Sequence, residues 1–246
     1  MEKSPVKLKI LSIDIGGSNI KATVLNEKGE LTKEYEKIPT PSPAGPDAVM
    51  NAIQTLVKDF PDYDKISVGF PGYVKQGVVK TAPNLDTALW ADVDFAKKLE
   101  TTLGKPAQVV NDADMQGLGV VSGKGLELVI TLGTGFGTAW LHDGKLLPHL
   151  EFSHQPFNKF KSYDKYIGEK ALEKEGLKKW NSRIEKVFEV LKTVFNYDYL
   201  YIGGGNSSKL TFKLDDNMKI VTNAQGIKGG TRLWVTVPST EKEPAL

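Results

Sequence analysis

A strand that runs into a glycine-rich turn and straight back out as a second strand occurs twice in this chain. The first copy is Ile13-Asp14-Ile15-Gly16-Gly17-Ser18-Asn19-Ile20-Lys21 and the second is Ile130-Thr131-Leu132-Gly133-Thr134-Gly135-Phe136-Gly137. The return strands, residues 20–25 and 138–141, each reach a polar turn, Asn26-Glu27-Lys28-Gly29 and His142-Asp143-Gly144. Two such hairpins imply a duplicated domain with a phosphate gripped between the halves. Glycine suits this task because its N–H can approach an anion closely and its φ can be positive. Asp14 adds a carboxylate at the first turn, where a magnesium–phosphate complex would sit.

The rest of the chain alternates strands and helices. Residues 6–15 read as a strand, and 20–25 and 31–38 continue the sheet antiparallel. Pro39, Pro41, Pro43 and Pro46 form a stiff loop. Apolar residues at helical spacing predict a helix over 47–60, stopped by Pro61, and a second over 93–103. Between these lies a short buried strand at 66–70. A strand at 107–110 delivers Asn111-Asp112 at its carboxyl end, and a helix over 113–121 follows. The second half opens with a hairpin at 126–147, then a polar, aromatic-rich loop at 148–163. Helices at 166–174 and 178–195 come next, then a strand at 199–202 that runs into Gly203-Gly204-Gly205. A last element at 226–237 starts as a helix at a glycine-rich turn. This order is the plan of an actin-like, ribonuclease H-like α/β fold with two duplicated lobes, 1–122 and 123–246, and a cleft between them. The last helix is able to pack back on the first lobe. Ligands of open α/β sheets bind beyond the carboxyl ends of strands. The glycine turns and the Asn-Asp pair all lie at such ends, so they are expected to face one cleft.

Bulk properties narrow the function classes. With 246 residues, 40% of them hydrophobic, the chain can bury one large core or two modest ones. A net charge of +2, without a basic arm or zinc-finger spacing, argues against a dedicated nucleic-acid binder. The absence of cysteine excludes disulfides and thiolate metal sites and fits a reducing cytoplasm. The first nine residues lack the apolar core of a signal peptide. No apolar run approaches the ~20 residues that a membrane helix needs. A soluble, cytoplasmic protein is expected.

Asp14 to Lys21, Asn111-Asp112-Ala113-Asp114, Thr131 to Gly137, Glu151 to His154 and Gly203 to Asn206 follow one another over nearly the whole chain. In that order they resemble the motifs of the ROK family (repressor, open reading frame, kinase). The segment Tyr163-Asp164-Lys165-Tyr166-Ile167-Gly168-Glu169-Lys170-Ala171-Leu172 and the stretch Gly229-Gly230-Thr231-Arg232-Leu233-Trp234 are most similar to its polyphosphate glucokinase branch. That branch is shorter than typical members and lacks their zinc site, so no zinc is expected. The sequence starts at the first strand, without the winged-helix domain of ROK repressors. The resemblance therefore implies a sugar kinase and not a repressor.

The resemblance also implies roles. Asp112 would take the proton of a sugar hydroxyl as it attacks phosphorus, and Asn111 would hydrogen-bond the sugar. A carboxyl with an ordinary pKa of about 3.9 is ionised at neutral pH and suited to this. Read without the family, the pair is a strand-end turn with Asn111 capping the next helix. Gly16 and Gly17, with Gly133, Thr134 and Gly135, resemble two phosphate loops, to which Ser18, Thr134 and backbone amides would donate. Lys21 either joins them or points to solvent. Asp14 orients magnesium through water, a role compatible with accepting turn amides from a buried position. Glu151-Phe152-Ser153-His154 resembles the family's Glu-x-Gly-His motif, which implies that Glu151 and His154 bind ring hydroxyls. Ser153 replaces the glycine and would be strained if that position needs positive φ. Asp164 stands where the family has a sugar-binding glutamate but is one methylene shorter, so it reaches the sugar through water or not at all. Asn84, in Ala82-Pro83-Asn84-Leu85, stands where ROK kinases often touch the sugar, although Pro-Asn is also an ordinary turn.

Other features stay open at this level. Gly203, Gly204 and Gly205 either admit an adenine or phosphate edge or serve close strand-to-helix packing. Lys159, Lys161, Lys165, Lys170, Lys174, Lys178, Lys179 and Arg183 could line a polyanion track. Interleaved with Glu169, Glu173 and Glu175, they read better as a solvated helix face. The apolar stripe from Trp180 to Phe195 is core or a dimer face. The expectation is a magnesium-dependent, homodimeric hexokinase that moves a phosphoryl group from polyphosphate, ATP or both to the 6-hydroxyl of glucose. It has no nucleic-acid or membrane partner. The alternatives are a strictly ATP-dependent ROK hexokinase for another hexose, a non-catalytic sugar-sensing regulator, and an actin-like filament or chaperone ATPase. Donor, sugar epimer and oligomeric state are open in the sequence.

Overall fold

The computed structural model describes residues 8–234, which divide into two compact units. The first runs to Met115 and resumes at Ile227; the second is Gln116–Gly226. Residues 6–7 of the expected first strand and 235–237 of the expected last element lie outside the described residues.

In the first unit, β1 (Lys9–Ile15), β2 (Asn19–Asn26) and β3 (Leu31–Pro39) form an antiparallel meander. Ile10, Leu11, Ile13 and Ile15 are all fully buried, as expected of a strand covered on both faces. β3, at the sheet edge, carries Lys33, Glu34, Glu36 and Lys37, charges that discourage pairing with another chain. α1 (Pro46–Val57) buries Val49, Met50, Ile53, Leu56 and Val57 on one stripe. The spacing predicts this helix to residue 60. It ends at Val57 because Pro61 has no N–H and its ring would collide with the carbonyl four residues earlier.

β4 (Lys65–Phe70) pairs parallel with β1. A small sheet of β5 (Val74–Lys75), β6 (Val78–Val79) and β7 (Val93–Asp94) follows, with α2 (Thr87–Trp90) between its last two strands. Strands of two residues have no readable period, and none was expected from the sequence. The helix predicted over 93–103 is α3 (Phe95–Leu103), because Asp94 accepts the Lys97 N–H at 2.9 Å and so caps it one residue before Phe95. β8 (Ala107–Asn111) extends the sheet parallel to β4, and α4 (Asp112–Val120) leads into the second unit. The five-stranded order is β3-β2-β1-β4-β8. Its core holds a triad of rings, Phe70, Trp90 and Phe95, with centroids 4.7 to 5.9 Å apart.

The second unit repeats this plan. β9 (Leu126–Leu132), β10 (Phe136–His142) and β11 (Lys145–Leu146) are antiparallel. The stretch expected to be plain loop contains a 3-10 turn, Phe152–His154, and a hairpin of β12 (Pro156–Asn158) and β13 (Lys161–Ser162). The helix predicted over 166–174 is two helices, α5 (Tyr163–Ile167) and α6 (Glu169–Glu175), broken at Gly168, whose ψ of 174° is extended. α7 (Leu177–Phe195) buries Trp180, Ile184, Val187, Phe188 and Leu191, so its stripe is core. Each such side chain contributes about 1.5–3 kcal/mol on full burial. β14 (Tyr199–Gly203) and β15 (Met218–Ile220), the latter unexpected, run parallel to β9 and complete the order β11-β10-β9-β14-β15. Both five-stranded sheets thus join an antiparallel meander to two parallel strands on its first member.

The element expected at 226–237 resolves into two single turns, α8 (Asn223–Gly226) and α9 (Gly229–Arg232). α9 packs on β1, β2 and β4 of the first unit. A Cβ on Gly230 would lie 2.4 Å from Ser12 Oγ, so only glycine fits there. The Ser67 hydroxyl donates to the Gly230 carbonyl at 2.6 Å and accepts from Trp234 Nε1 at 2.9 Å. Among the described residues, no helix is long and apolar enough to cross a membrane.

Candidate functional site

In the first unit the candidate residues gather at the carboxyl edge of β1, β4 and β8. The Gly16 N–H closes its turn on the Asn19 carbonyl at 2.9 Å. Thr40, just past β3, braces the same turn: its N–H donates to Ser18 O at 3.0 Å and its hydroxyl to Gly16 O at 2.6 Å. Gly17 and Ser18 are left exposed. Asn84 is brought to this turn from a distant loop, its Cβ 3.7 Å from where a Gly17 Cβ would be.

Asp14 and Lys21 face each other in the β1–β2 register, with Lys21 Nζ 3.9 Å from Asp14 Oδ2. Lys21 is therefore directed toward Asp14, with nearly half of its side chain still exposed. Burial raises the Asp14 carboxyl above its ordinary value, and the Lys21 charge partly opposes this. The phenol of Tyr35, on β3, is pushed up by burial and by the nearby Asp14 charge.

Asn111 and Asp112 stand at the end of β8, as their place in the sequence predicts. Asn111 is buried; its Nδ2 donates to Gly72 O at 3.0 Å and its Oδ1 accepts the Ala113 N–H at 2.8 Å. The capping role is real, and it leaves one N–H of the side-chain amide for another acceptor. Asp112 is half-buried, and its Oδ1 also accepts from the Ala113 N–H at 2.8 Å. Two bonds thus fix the start of α4 and hold both side chains at the sheet edge.

In the second unit the Gly133 N–H bonds to Gly135 O at 3.1 Å. The turn after β14 sits against this loop: the Asn206 N–H donates to Leu132 O at 2.9 Å. Gly204 has a φ of +85°, and a Cβ there would lie 2.3 Å from Leu132 O. Close backbone packing accounts for Gly204. Gly203 is buried at the end of β14, where a Cβ would meet the Val221 side chain, the Ile130 carbonyl and the Gln116 side chain at 3.5 to 4.0 Å, whereas a Cβ on Gly205 would meet nothing within 4 Å.

Glu151 and His154 lie on the 3-10 turn, anchored by Phe152 between the rings of Tyr163, Phe195 and Trp140 at 4.7, 5.4 and 6.1 Å. Ser153 has no positive φ, so the strain expected of a serine there does not arise. Glu151 lies between two imidazoles, with Oε1 3.5 Å from His149 Nε2 and Oε2 3.9 Å from His154 Nε2. The His149 hydrogen bond is the main reason its carboxyl is held below the ordinary range. His149 is buried, whereas His154 is exposed. The sequence reading passed over His149; its signal is that two of the chain's three histidines bracket Glu151.

Asp164, at the start of α5, accepts the Phe136 N–H at 3.0 Å, so it touches the second glycine loop. Of the basic row, Lys161, Lys179 and Arg183 converge on Glu175 at 3.6, 2.6 and 2.7 Å, and the hydrogen bonds from Lys179 and Arg183 hold its carboxyl down to about 2. That part of the row is a paired helix face. No cluster of three or more His, Cys, Asp or Glu side chains able to hold a metal occurs among the described residues.

A model of the ROK family matches residues 10–149. The polyphosphate glucokinase of Mycobacterium tuberculosis (strain CDC 1551 / Oshkosh) is 33% identical over 207 residues, spanning 80% of this chain and 77% of that protein. The glucokinase of Streptomyces coelicolor is 34% identical over 146 residues, 55% of this chain and 44% of that protein. Among solved structures, the inorganic polyphosphate/ATP-glucomannokinase of Arthrobacter sp. strain KM superposes with a TM-score of 0.80 at 32% identity, covering 91% of this chain and 97% of that one. The ROK family glucokinase of Streptomyces griseus, in complex with glucose and AMPPNP, superposes with a TM-score of 0.76 at 19% identity, covering 92% and 98%, which speaks for the fold alone. The fold is the actin-like α/β fold of these sugar kinases.

Proposed function

The chain belongs to the ROK family, and from that premise we propose that it is a glucose kinase. It moves the terminal phosphoryl group of inorganic polyphosphate or ATP to the 6-hydroxyl of glucose. The observation that carries this reading is the meeting of Asp112, Asn111 and the Gly16-Gly17 turn at the carboxyl edge of one sheet. The likeness to polyphosphate glucokinases over most of the chain supports the choice of donor and acceptor.

In this reading Asp112 accepts the proton of the attacking hydroxyl. A positioned base of this kind is worth about 10²–10⁴ in rate. Asn111 offers its remaining N–H to the sugar, and Asn84, beside Gly17, offers a further amide. Glu151, kept ionised by His149, accepts from ring hydroxyls, and His154 supplies a further partner. Backbone amides of both glycine turns, with Ser18, Thr134 and Lys21, hold phosphate oxygens where charge builds. Gly205 leaves backbone open to an adenine or phosphate edge, whereas Gly203 is buried in β14.

Magnesium enters with the donor. In phosphate sites it takes one or two carboxylates, phosphate oxygens and several waters. Asp14 fits as the single, water-mediated carboxylate: burial makes its anion costly, and a cation beside it would relieve that cost. When bound, the ion neutralises charge on the transferring group. Zinc has no part in this reading. A cytoplasmic homodimer without a nucleic-acid or membrane partner completes it.

The test is a panel of hexoses crossed with ATP and long-chain polyphosphate. Glucose 6-phosphate should form with polyphosphate, and the polyphosphate KM should climb with salt more steeply than the ATP KM, because a longer polyanion releases more counterions on binding. Product from ATP alone would leave an ATP-dependent ROK hexokinase. Saturable glucose binding without turnover would leave a regulator.

A further inference from the structure

We propose that Asp164 is a positioning residue of the second glycine loop and acts on the phosphoryl donor, not on the sugar. The proposal rests on the reading of the chain as a kinase that binds donor phosphate at Gly133-Thr134-Gly135. Asp164 Oδ1 accepts the Phe136 N–H at 3.0 Å, and a Cβ on Gly135 would lie 2.6 Å from that same oxygen. The carboxylate is therefore seated against the loop backbone where only glycine leaves room for it.

A second strut stands beside the first. The Glu169 N–H donates to Thr134 O at 3.3 Å, and a Cβ on Gly168 would fall 3.2 Å from the same carbonyl. The Gly168 N–H in turn bonds to Asp164 O at 2.8 Å, so the break between α5 and α6 presents both struts from one rigid corner. Tyr163, the neighbour of Asp164, stacks on the Phe136 ring at 5.9 Å with planes 17° apart. The loop is thus clasped by its carbonyl at Thr134 and by its N–H at Phe136. With those two groups taken, the amides of Thr134 and Gly135 are the ones left to meet an anion. A loop held this way loses little freedom when phosphate binds. The acceptor oxygen does this work; a negative charge so close to a phosphate does not help it.

The experiment compares wild type, Asp164→Ala and Asp164→Asn in three readouts: donor KM at saturating glucose, glucose KM at saturating donor, and amide exchange at Phe136. Asp164→Ala should raise the donor KM about 3- to 10-fold, as the loss of one hydrogen bond to a backbone amide does, and leave the glucose KM within about 2-fold. Asp164→Asn keeps an acceptor oxygen and should recover a donor KM at or below that of wild type. The Phe136 amide should exchange faster in the alanine variant only. A raised glucose KM with an unchanged donor KM would make Asp164 a sugar ligand and overturn the proposal. So would an asparagine variant as impaired toward the donor as alanine, or unchanged Phe136 exchange in the alanine variant. A wild-type protein that phosphorylates no sugar defeats the kinase reading instead, and the exchange readout still decides the bond.

Discussion

The turn after β1 places Gly16 to Asn19 between its paired ends, whereas the turn after β9 places only Gly133 to Gly135 there. The extra residue sets Lys21 opposite Asp14, while in the second copy Gly137 faces Thr131. The bracing differs as well. Thr40, at the end of the same meander, steadies the first turn, but Asp164, Glu169 and Asn206, all from beyond the second meander, steady the second. The contrast extends across the sheets. β8 ends at Asn111 and is followed by Asp112, whereas its counterpart β15 ends at Ile220 and is followed by Val221 and Thr222. In the proposed function the two carboxylates of the first edge, Asp14 and Asp112, serve the metal and the proton, and the second edge, with Thr131 and Val221 in their places, holds phosphate. On that proposal the same backbone plan supports chemistry in one unit and grip in the other.

Removing the base tests this division most severely. Asp112→Asn should lower kcat by about 10²–10⁴ while the glucose KM stays within a few-fold, because shape and hydrogen bonding survive and the proton acceptor does not. A coupled assay for sugar phosphate reads both numbers, and near-normal turnover would erase the asymmetry. A sugar contact of the second unit is next: His154→Ala should raise the glucose KM about 5- to 100-fold, the effect of leaving a sugar hydroxyl without its partner. An unchanged KM places His154 outside the site.

Backbone packing in the second unit gives a smaller effect, on stability. Gly204→Ala must hold a φ of +85° and push against Leu132 O, and should cost about 2–3 kcal/mol in urea unfolding. Gly205→Ala, with nothing within 4 Å, should change stability by less than about 0.5 kcal/mol. Equal costs would mean that the two glycines share one role.

The smallest effect on stability belongs to Asp14. Its carboxyl titrates above the unfolded value, so its charge costs stability at neutral pH, and the cost fades as pH falls to the unfolded value of about 4. Asp14→Asn should therefore melt slightly higher at pH 7, lose that advantage near pH 4, and lose activity throughout. A lower melting temperature at pH 7 would mean that the pairing with Lys21 outweighs burial.

What could be read from the residues was whatever repeats or needs a special backbone. Both glycine turns, the strand that delivers Asn111-Asp112 and the amphipathic α1 and α7 lie where their patterns put them. The two-residue strands β5, β6 and β7 have no period to read. The break at Gly168 depends on a carbonyl of Thr134 that no local pattern reveals. The bond from Phe136 to Asp164 joins residues 28 apart, and the one from His149 to Glu151 depends on a buried imidazole in a loop. Such pairings arise only when the fold brings the partners together.

The return of residues 227–234 to the first sheet has a consequence for biosynthesis. Gly230 and Trp234 cover β1 and β4 and Thr231 bonds to Asn26 on β2, yet a ribosome adds them only after the whole of Gln116–Gly226. At about 5–20 residues per second, that interval is on the order of ten seconds. During it the first sheet has its strands but not its cover, with Ser12 and Ser67 facing outward in place of a packed glycine turn. The nascent chain is then most in need of shielding along the first sheet.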